Sequence, residues 1–433
     1  MDALSERRWL ALIFTLYTVL ALGYSLLMPV WEAPDEPAHY HIAWFLARAG
    51  RYPTPKQNYE ADQPRAFYYL GSWVIRSLNK VDPGYSAYFL PHENKINIRI
   101  PVHRFDWDAA NYRFLLGVHV LRWINILFGA AALWLCWRAF RLLAPDQATL
   151  RLAALTLAAL TPQFLHIMSS VNNDALGTLA GALLFYLSLR IVKEPIGWLS
   201  LFSVLVALAL PLATKLTVLP LSASLLVIVA WKAWHAFPMK RWLPFAGLAV
   251  LAVVGVFYFL TPDSIKSSAS EIAWRLLSLR KDALTPEYLR LISLQIARTY
   301  WGQVGWLAVG LPVWVVAALS LAWSAGAVLN VRWLVKERGA PPGFQMWMAT
   351  WLIALLTIAA VARNALTTGA TQGRFLFPAI GALAIIAVSG WHATLPRRFQ
   401  GILPAIVLVL MLGLNLALWI WGILPAYYQP FLG

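Results

Sequence analysis

A single cysteine, Cys136, occurs in 433 residues, and it lies inside an apolar run. No disulfide can form within the chain, and the thiol reads as a packing group. Charge is scarce as well, at 12% of residues, where an ordinary soluble domain carries about 25%. Acids are the scarcer sign, 19 against 35 Lys and Arg, which leaves a net charge of +16. Such an excess suggests nucleic acid, but no basic cluster sits on a soluble module. The basic residues fall mostly in short loops between apolar runs, so a nucleic-acid partner is excluded. No small-residue cleavage site follows the first apolar run, 9–30. That run is also longer than a signal core, and it reads as an uncleaved spanning helix.

What the chain has instead is apolar length. Hydrophobic residues make up 60% of it, and the mean hydropathy is +0.63. Runs long enough to cross a bilayer recur from end to end. The 23 Trp and 16 Tyr suit interfacial belts. The pattern predicts about eleven spans, over 9–30, 113–137, 152–168, 175–189, 198–212, 217–234, 242–260, 306–329, 344–361, 375–391 and 402–424. The fold class expected is an all-α membrane bundle, one polytopic domain over 1–433. Two long polar loops interrupt it, 32–112 and 263–299. Within the first, 39–49 and 67–78 read as amphipathic helices lying at the interface. The fifth and sixth spans are short and equally read as one re-entrant pair.

Arg7, Arg8, Arg138, Arg141, Arg151, Arg190, Lys193, Lys232, Lys240, Arg241, Arg332, Lys336, Arg338, Arg397 and Arg398 all fall on one side of this arrangement. That side is expected to be cytoplasmic. The N-terminus is then inside and the C-terminus outside, and both long loops are extracytoplasmic.

The polar residues that scaffold does not explain gather on the outer side. WEAPDEPAHYHIA, Trp31–Ala43, places Asp35, Glu36, His39 and His41 within seven residues, with Pro34 and Pro37 around the two acids. The prolines stiffen the turn, and a helix can begin at Pro37 with both carboxylates at its positive end. Asn172, Asn173 and Asp174 follow the third span, and Lys215 joins the fifth to the sixth. Arg363, Asn364, Gln372 and Arg374 lie between the ninth and tenth, and Arg122 sits within the second.

Ionisable groups at membrane depth are costly and are functional candidates by default. Each also has a plainer reading. Asp35 and Glu36 suit a helix start, and Asp174 suits a helix cap. His39, one helical turn from Asp35, shares with it a proton, a divalent metal or a structural hydrogen bond. Arg122 snorkels, pairs with an acid or serves the site. Lys215 and Arg374 are interfacial anchors or anion holders. Together the set suits sugar transfer from a lipid phosphate: cations steady the developing phosphate charge, and a carboxylate takes the proton of the incoming hydroxyl or holds a metal.

At these residues the chain resembles the GT-C-type membrane glycosyltransferases. Within them it most resembles a bacterial family of predicted membrane proteins whose function is not assigned. PDEPAHYHIAW (34–44), SVNNDAL (170–176), YWGQVGW (300–306) and QGRFLFP (372–378) carry the resemblance, with ADQPRAFYYL (61–70) beside them. It implies a GT-C-like bundle in the bacterial cytoplasmic membrane and a polyprenyl-phosphate sugar donor. It implies Asp35 as base or metal ligand, Glu36 and Asp174 assisting, and Lys215 and Arg374 facing the lipid phosphate. Arg122, Gln372, Asn173, His39 and Arg363 complete the expected substrate shell. A divalent ion at Asp35 is the one cofactor in view. Membrane lipids are partners, and the acceptor is a lipid, a glycan or a protein. The other function classes are a lipid-linked sugar flippase, which needs polar groups spread through the membrane depth, and a non-catalytic subunit of a glycan-assembly complex.

Overall fold

The computed structural model describes residues 3–78, 112–236, 279–280, 283–336, 343–369 and 372–428. In chain order the helices are α1 (Ala3–Leu27), α2 (Glu36–Ala49), α3 (Ala66–Leu78), α4 (Tyr112–Leu143), α5 (Ala148–Leu160), α6 (Pro162–Met168) and α7 (Asp174–Lys193). They continue as α8 (Trp198–Ala213), α9 (Leu219–Ala236), α10 (Pro286–Trp301), α11 (Val313–Lys336), α12 (Gly343–Thr368), α13 (Ile380–Thr394) and α14 (Leu403–Leu418). Two-residue strands pair antiparallel between α10 and α11, Gln303 against Gly310 and Val304 against Val309. Among the described residues eight helices are long and apolar enough to cross a membrane, and α5 with α6 makes a ninth if the bent pair is one span. The expected span 242–260 and much of the loop 263–299 lie outside the described residues.

Three expectations are corrected. The third span is not one straight helix, because α5 and α6 meet at 59°. Pro162 has no N–H to continue the helix, and the Leu160 carbonyl left at its end accepts from the side-chain amide of Asn415 at 2.8 Å. The eighth span does not begin at Trp306. Trp306 and Leu307 have φ of 49° and 67° in the hairpin turn, and the helix starts only at Val313. The ninth span does not stop at Val361, because α12 runs on to Thr368 and takes Arg363 and Asn364 into the helix. α8 and α9 are separate helices, joined by Thr214, Lys215 and a 3-10 turn.

The centre of the bundle is α5, α7 and α13, whose residues are buried nearly all round. In a bilayer, helices gain little from hiding apolar surface and associate through close packing. α11 and α13 show the device: a Cβ at Gly390 would overlap the Gly326 carbonyl, so both positions must stay small. The Asn330 amide reaches the Ser389 hydroxyl in the same seam, at 2.6 Å.

The two ends of the bundle differ. At one end Arg151 pairs with Glu6 and donates to the carbonyls of Ala144 and Pro145, and Lys232 caps the last carbonyls of α7. Thr149 lies 3.1 Å from His392 there, which brings the start of α5 to the end of α13. These cations complement the negative ends of helices. The start of α7, the approach to α13 and the loop after α1 meet at the other end.

Candidate active site

The loop after α1 is held in a strained shape. Trp31 and Asp35 both have left-handed backbone, φ 76° and 65°, at a cost of order 1–3 kcal/mol each. The hairpin clamps it: the Trp306 indole donates to the Trp31 carbonyl at 2.8 Å, and the Trp306 amide to the Glu32 carbonyl at 3.1 Å. YWGQVGW thus shapes the acidic loop from outside the site. The geometry turns the two adjacent carboxylates in different directions.

Glu36 points into the bundle and is fully buried. Its oxygens take Nε and Nη2 of Arg122 at 2.7 and 2.6 Å, and the backbone amides of Val171 and Trp31 at 2.9 and 3.1 Å. The remaining Arg122 donors go to the carbonyls of Ser25, Met28 and Pro29. The pair ties α1, α2, α4 and the turn before α7 together. Glu36 and Arg122, expected among the reacting and substrate-holding groups, are therefore a structural strut with no valence left for a ligand.

Asp35 points the other way. It starts α2 without capping it; one oxygen accepts from the Tyr59 hydroxyl at 2.9 Å and the other from Nη2 of Arg374 at 2.6 Å. Asp174, buried at the first turn of α7, meets the Lys215 ammonium at 2.7 Å. Lys215 also donates to the Asn173 side chain at 2.9 Å, and the Asn173 amide donates to Gln63 at 3.2 Å. Both cations lie over the Phe375 ring, at 5.7 and 5.8 Å from its centre. Residues separated by 339 positions in the chain thus meet in one acid–cation cluster.

Arg374 is set by the 3-10 helix Gly373–Ala379. The Gly373 amide donates to the Thr299 hydroxyl at 2.6 Å. A Cβ on Gly373 would overlap the Ile296 carbonyl and the Tyr300 amide of α10, so only glycine permits this approach. Gln372 precedes that helix, and its carbonyl accepts from the Phe375 amide at 3.2 Å. Arg363 lies inside α12 rather than in the connecting loop, and among the described residues no ion pair joins it to Asp35 or Asp174.

The cluster is under-bonded. Arg374 is 5% exposed, yet among the described residues Nε and Nη1 have no hydrogen-bond partner, and neither has Oδ2 of Asp174. Nη1 stands 3.5 Å from that oxygen, an ion-pair distance without hydrogen-bond geometry. Burial alone would push the Asp35 carboxyl up. The Arg374 guanidinium, His39 and the bonds from Arg374 and Tyr59 outweigh it and bring the group down to about 2. His39 stacks on Tyr68, with Nδ1 2.8 Å from its hydroxyl. Burial, then Lys215, pushes its pKa down to about 3, so it is neutral and brings no charge to an anion.

Tyr59, Glu60 and Gln63 border this cluster and were not singled out from the sequence. Gln63 falls within ADQPRAFYYL, whereas Tyr59 and Glu60 had only position as a signal: a loop with Pro53, Pro55 and Pro64 between two amphipathic helices. Among the described residues no group of three or more His, Cys, Asp or Glu is arranged to hold a metal. A divalent ion at Asp35 would share its oxygens with the Tyr59 hydroxyl and the Arg374 guanidinium.

Residues 115–259, about a third of the chain, match the family described as Dolichyl-phosphate-mannose-protein mannosyltransferase. No curated protein matches the chain in sequence. Among solved structures, ArnT from Cupriavidus metallidurans in the apo state is similar over 98% of this chain and 74% of its own, with TM-score 0.50 and 14% identity. The same protein bound to undecaprenyl phosphate gives 97%, 74%, 0.46 and 15%. The Archaeoglobus fulgidus oligosaccharyltransferase, in complex with Zn and sulfate, gives 96%, 53%, 0.49 and 13%. The likeness to apo ArnT extends over nearly the whole chain and concerns the fold. The protein is a multi-pass membrane protein with a GT-C-like helical bundle.

Proposed function

We propose that the protein is a GT-C-type glycosyltransferase. It moves a sugar from a polyprenyl-phosphate donor to a lipid, glycan or protein acceptor at the extracytoplasmic face of the cytoplasmic membrane. One observation carries the reading: among the described residues, buried Arg374 keeps two N–H-bearing nitrogens without a hydrogen bond beside the Lys215–Asp174 pair. Leaving such donors unbonded in a protein interior is costly, and a phosphate oxygen satisfies them with charge-assisted bonds. The partial match to a family named for a lipid-phosphate sugar supports the same donor chemistry. The excess of Lys and Arg at the opposite end of the bundle supports the orientation.

In this reading Lys215 and Arg374 hold the donor phosphate. As the bond from sugar C1 to the phosphate oxygen breaks, its electron pair moves onto that oxygen, and the cations steady the charge. Asp35 and Asp174 keep the two cations in register while the site is empty. His39, Asn173 and Gln372 line the approach. Asp35 remains the base that the resemblance implies, yet both its oxygens are engaged and its low pKa makes it a weak proton acceptor.

The test uses membranes containing wild-type, Arg374→Gln or Lys215→Gln protein, supplied with labelled polyprenyl-phosphate mannose and polyprenyl-phosphate glucose in parallel. Both variants should lose retention of the lipid phosphate and transfer of label. Transfer at the wild-type rate in either variant would refute the phosphate assignment.

A further inference from the structure

The turn 58–63 is stitched to the cluster on both sides of one residue. Asn58 is buried; its amide donates to the Ala38 carbonyl at 2.9 Å, and its side-chain oxygen accepts the Glu60 amide at 2.8 Å. Tyr59 reaches Asp35, and Gln63 accepts from Asn173. Glu60 stands between these two anchors. The turn closes on it through the bond from the Gln63 amide to the Glu60 carbonyl at 3.1 Å.

Three of the other carboxylates around the cluster already have a cation as ion-pair partner. Glu36 is saturated by Arg122. Asp35 is held by Arg374 and Tyr59, and Asp174 by Lys215. Asp62 faces solvent. Glu60 is half-buried at the edge of the cluster, and among the described residues no ion pair engages it.

We propose that Glu60 is the carboxylate that receives the acceptor hydroxyl and takes its proton. This rests on the transferase reading above and changes the residue assigned to one step. The acceptor oxygen forms its bond to C1 as the bond from C1 to the phosphate oxygen breaks. The acceptor's proton passes to Glu60, and the polyprenyl phosphate leaves with the bonding pair. Lys215 and Arg374 face the phosphate, and Glu60, on a turn anchored to Asp35 and Asn173, faces the acceptor.

The charged surroundings agree. Burial raises the Glu60 carboxyl above the usual range and the Asp35 carboxylate adds to this, while Lys215, Arg374 and a bond with Gln63 pull the other way. A carboxylate moved towards neutral pH is a better base than one held low. It must be ionised to act, so transfer should rise with pH across an acid limb.

The experiment compares wild-type, Glu60→Gln and Glu60→Asp proteins. It measures retention of radiolabelled polyprenyl phosphate by the purified proteins and label transfer into endogenous acceptors of the membranes across pH. Glu60→Gln should lose about 100-fold or more in transfer, retain polyprenyl phosphate as wild type does, and show no acid limb in the remaining activity. Glu60→Asp should restore part of the rate together with the limb. Unchanged transfer with the limb intact in Glu60→Gln would overturn the assignment and leave the transferase reading standing. Joint loss of transfer and lipid-phosphate retention would also overturn it, as the mark of a turn that only shapes the site. Wild-type protein that retains no polyprenyl phosphate, or transfers no label, would strike the transferase reading itself and this step with it.

Discussion

Asp35 and Glu36 are consecutive, and each meets an arginine at 2.6 Å. Around Glu36, the Arg122 side chain makes five hydrogen bonds, matching the five N–H donors of a guanidinium. Around Asp35, Arg374 makes one within the described residues and leaves Nε and Nη1 without a hydrogen bond. Both arginines are buried, so burial does not separate them. Saturation does: a buried ion pair with every donor used can only hold helices together, whereas one with donors to spare can accept an anion. The left-handed backbone of Asp35 creates the difference by sending the two side chains to opposite sides of the loop.

Substitutions can break that contrast. The largest effect is expected from Glu36→Gln, which leaves the Arg122 charge buried without its counter-ion. Loss of such a partner costs about 3–5 kcal/mol, read as a fall in thermal unfolding temperature in detergent. Unaltered stability would erase the distinction between strut and site. Arg374→Gln should do the reverse, lowering transfer by about 10²–10³-fold, or roughly 3–4 kcal/mol, with a smaller loss of stability than Glu36→Gln.

Gly373→Ala probes how Arg374 is aimed. The added methyl pushes against the backbone of α10, at a cost of about 1–3 kcal/mol. Weakened lipid-phosphate retention should accompany the lower unfolding temperature. Tyr59→Phe removes one bond to Asp35, worth about 0.5–1.5 kcal/mol, so a drop in transfer of tenfold or less is expected.

Glu32, the third acid of the same loop, sharpens the comparison through pH. Burial raises it from 4.5 to about 7, the Tyr427 hydroxyl pulling it down and Glu36 pushing it up. The fold therefore favours its protonated form. Its contribution to stability is full below about pH 4.5 and is lost as pH rises through about 7. Unfolding temperature measured against pH should show that decline in wild type, and Glu32→Gln should flatten it. Asp35 has the opposite sign. Its stabilising contribution is present above the ordinary carboxylate range and lost only as pH falls towards about 2, outside that window.

Much of the scaffold was legible because a bilayer demands long apolar helices, and these stand out in composition. The acids at 35 and 174 and the cations at 215 and 374 were also visible, since charge is conspicuous beside apolar runs. Their convergence required helices far apart in the chain to end at the same level. Less visible was the end of α12: Arg363 and Asn364 look like loop residues, but the polar end of a spanning helix has the same composition. Tyr59 and Glu60 gave no signal of their own, because polar residues in a proline-bounded loop usually face water.

The sequence alone determined an apolar bundle with its basic loops at one end and unexplained polar groups at the other, because hydropathy and charge placement are properties of residue order. Only the tertiary structure decided that Glu36 and Arg122 are a strut while Asp35 and Arg374 form an open pair. That division depends on Arg122 spending all its donors on Glu36 and the end of α1 while Arg374 spends one on Asp35, in a loop clamped at Trp31 and Glu32 by a hairpin about 270 residues away. Residue order fixes neither, since both arise from groups that meet only when the helices pack.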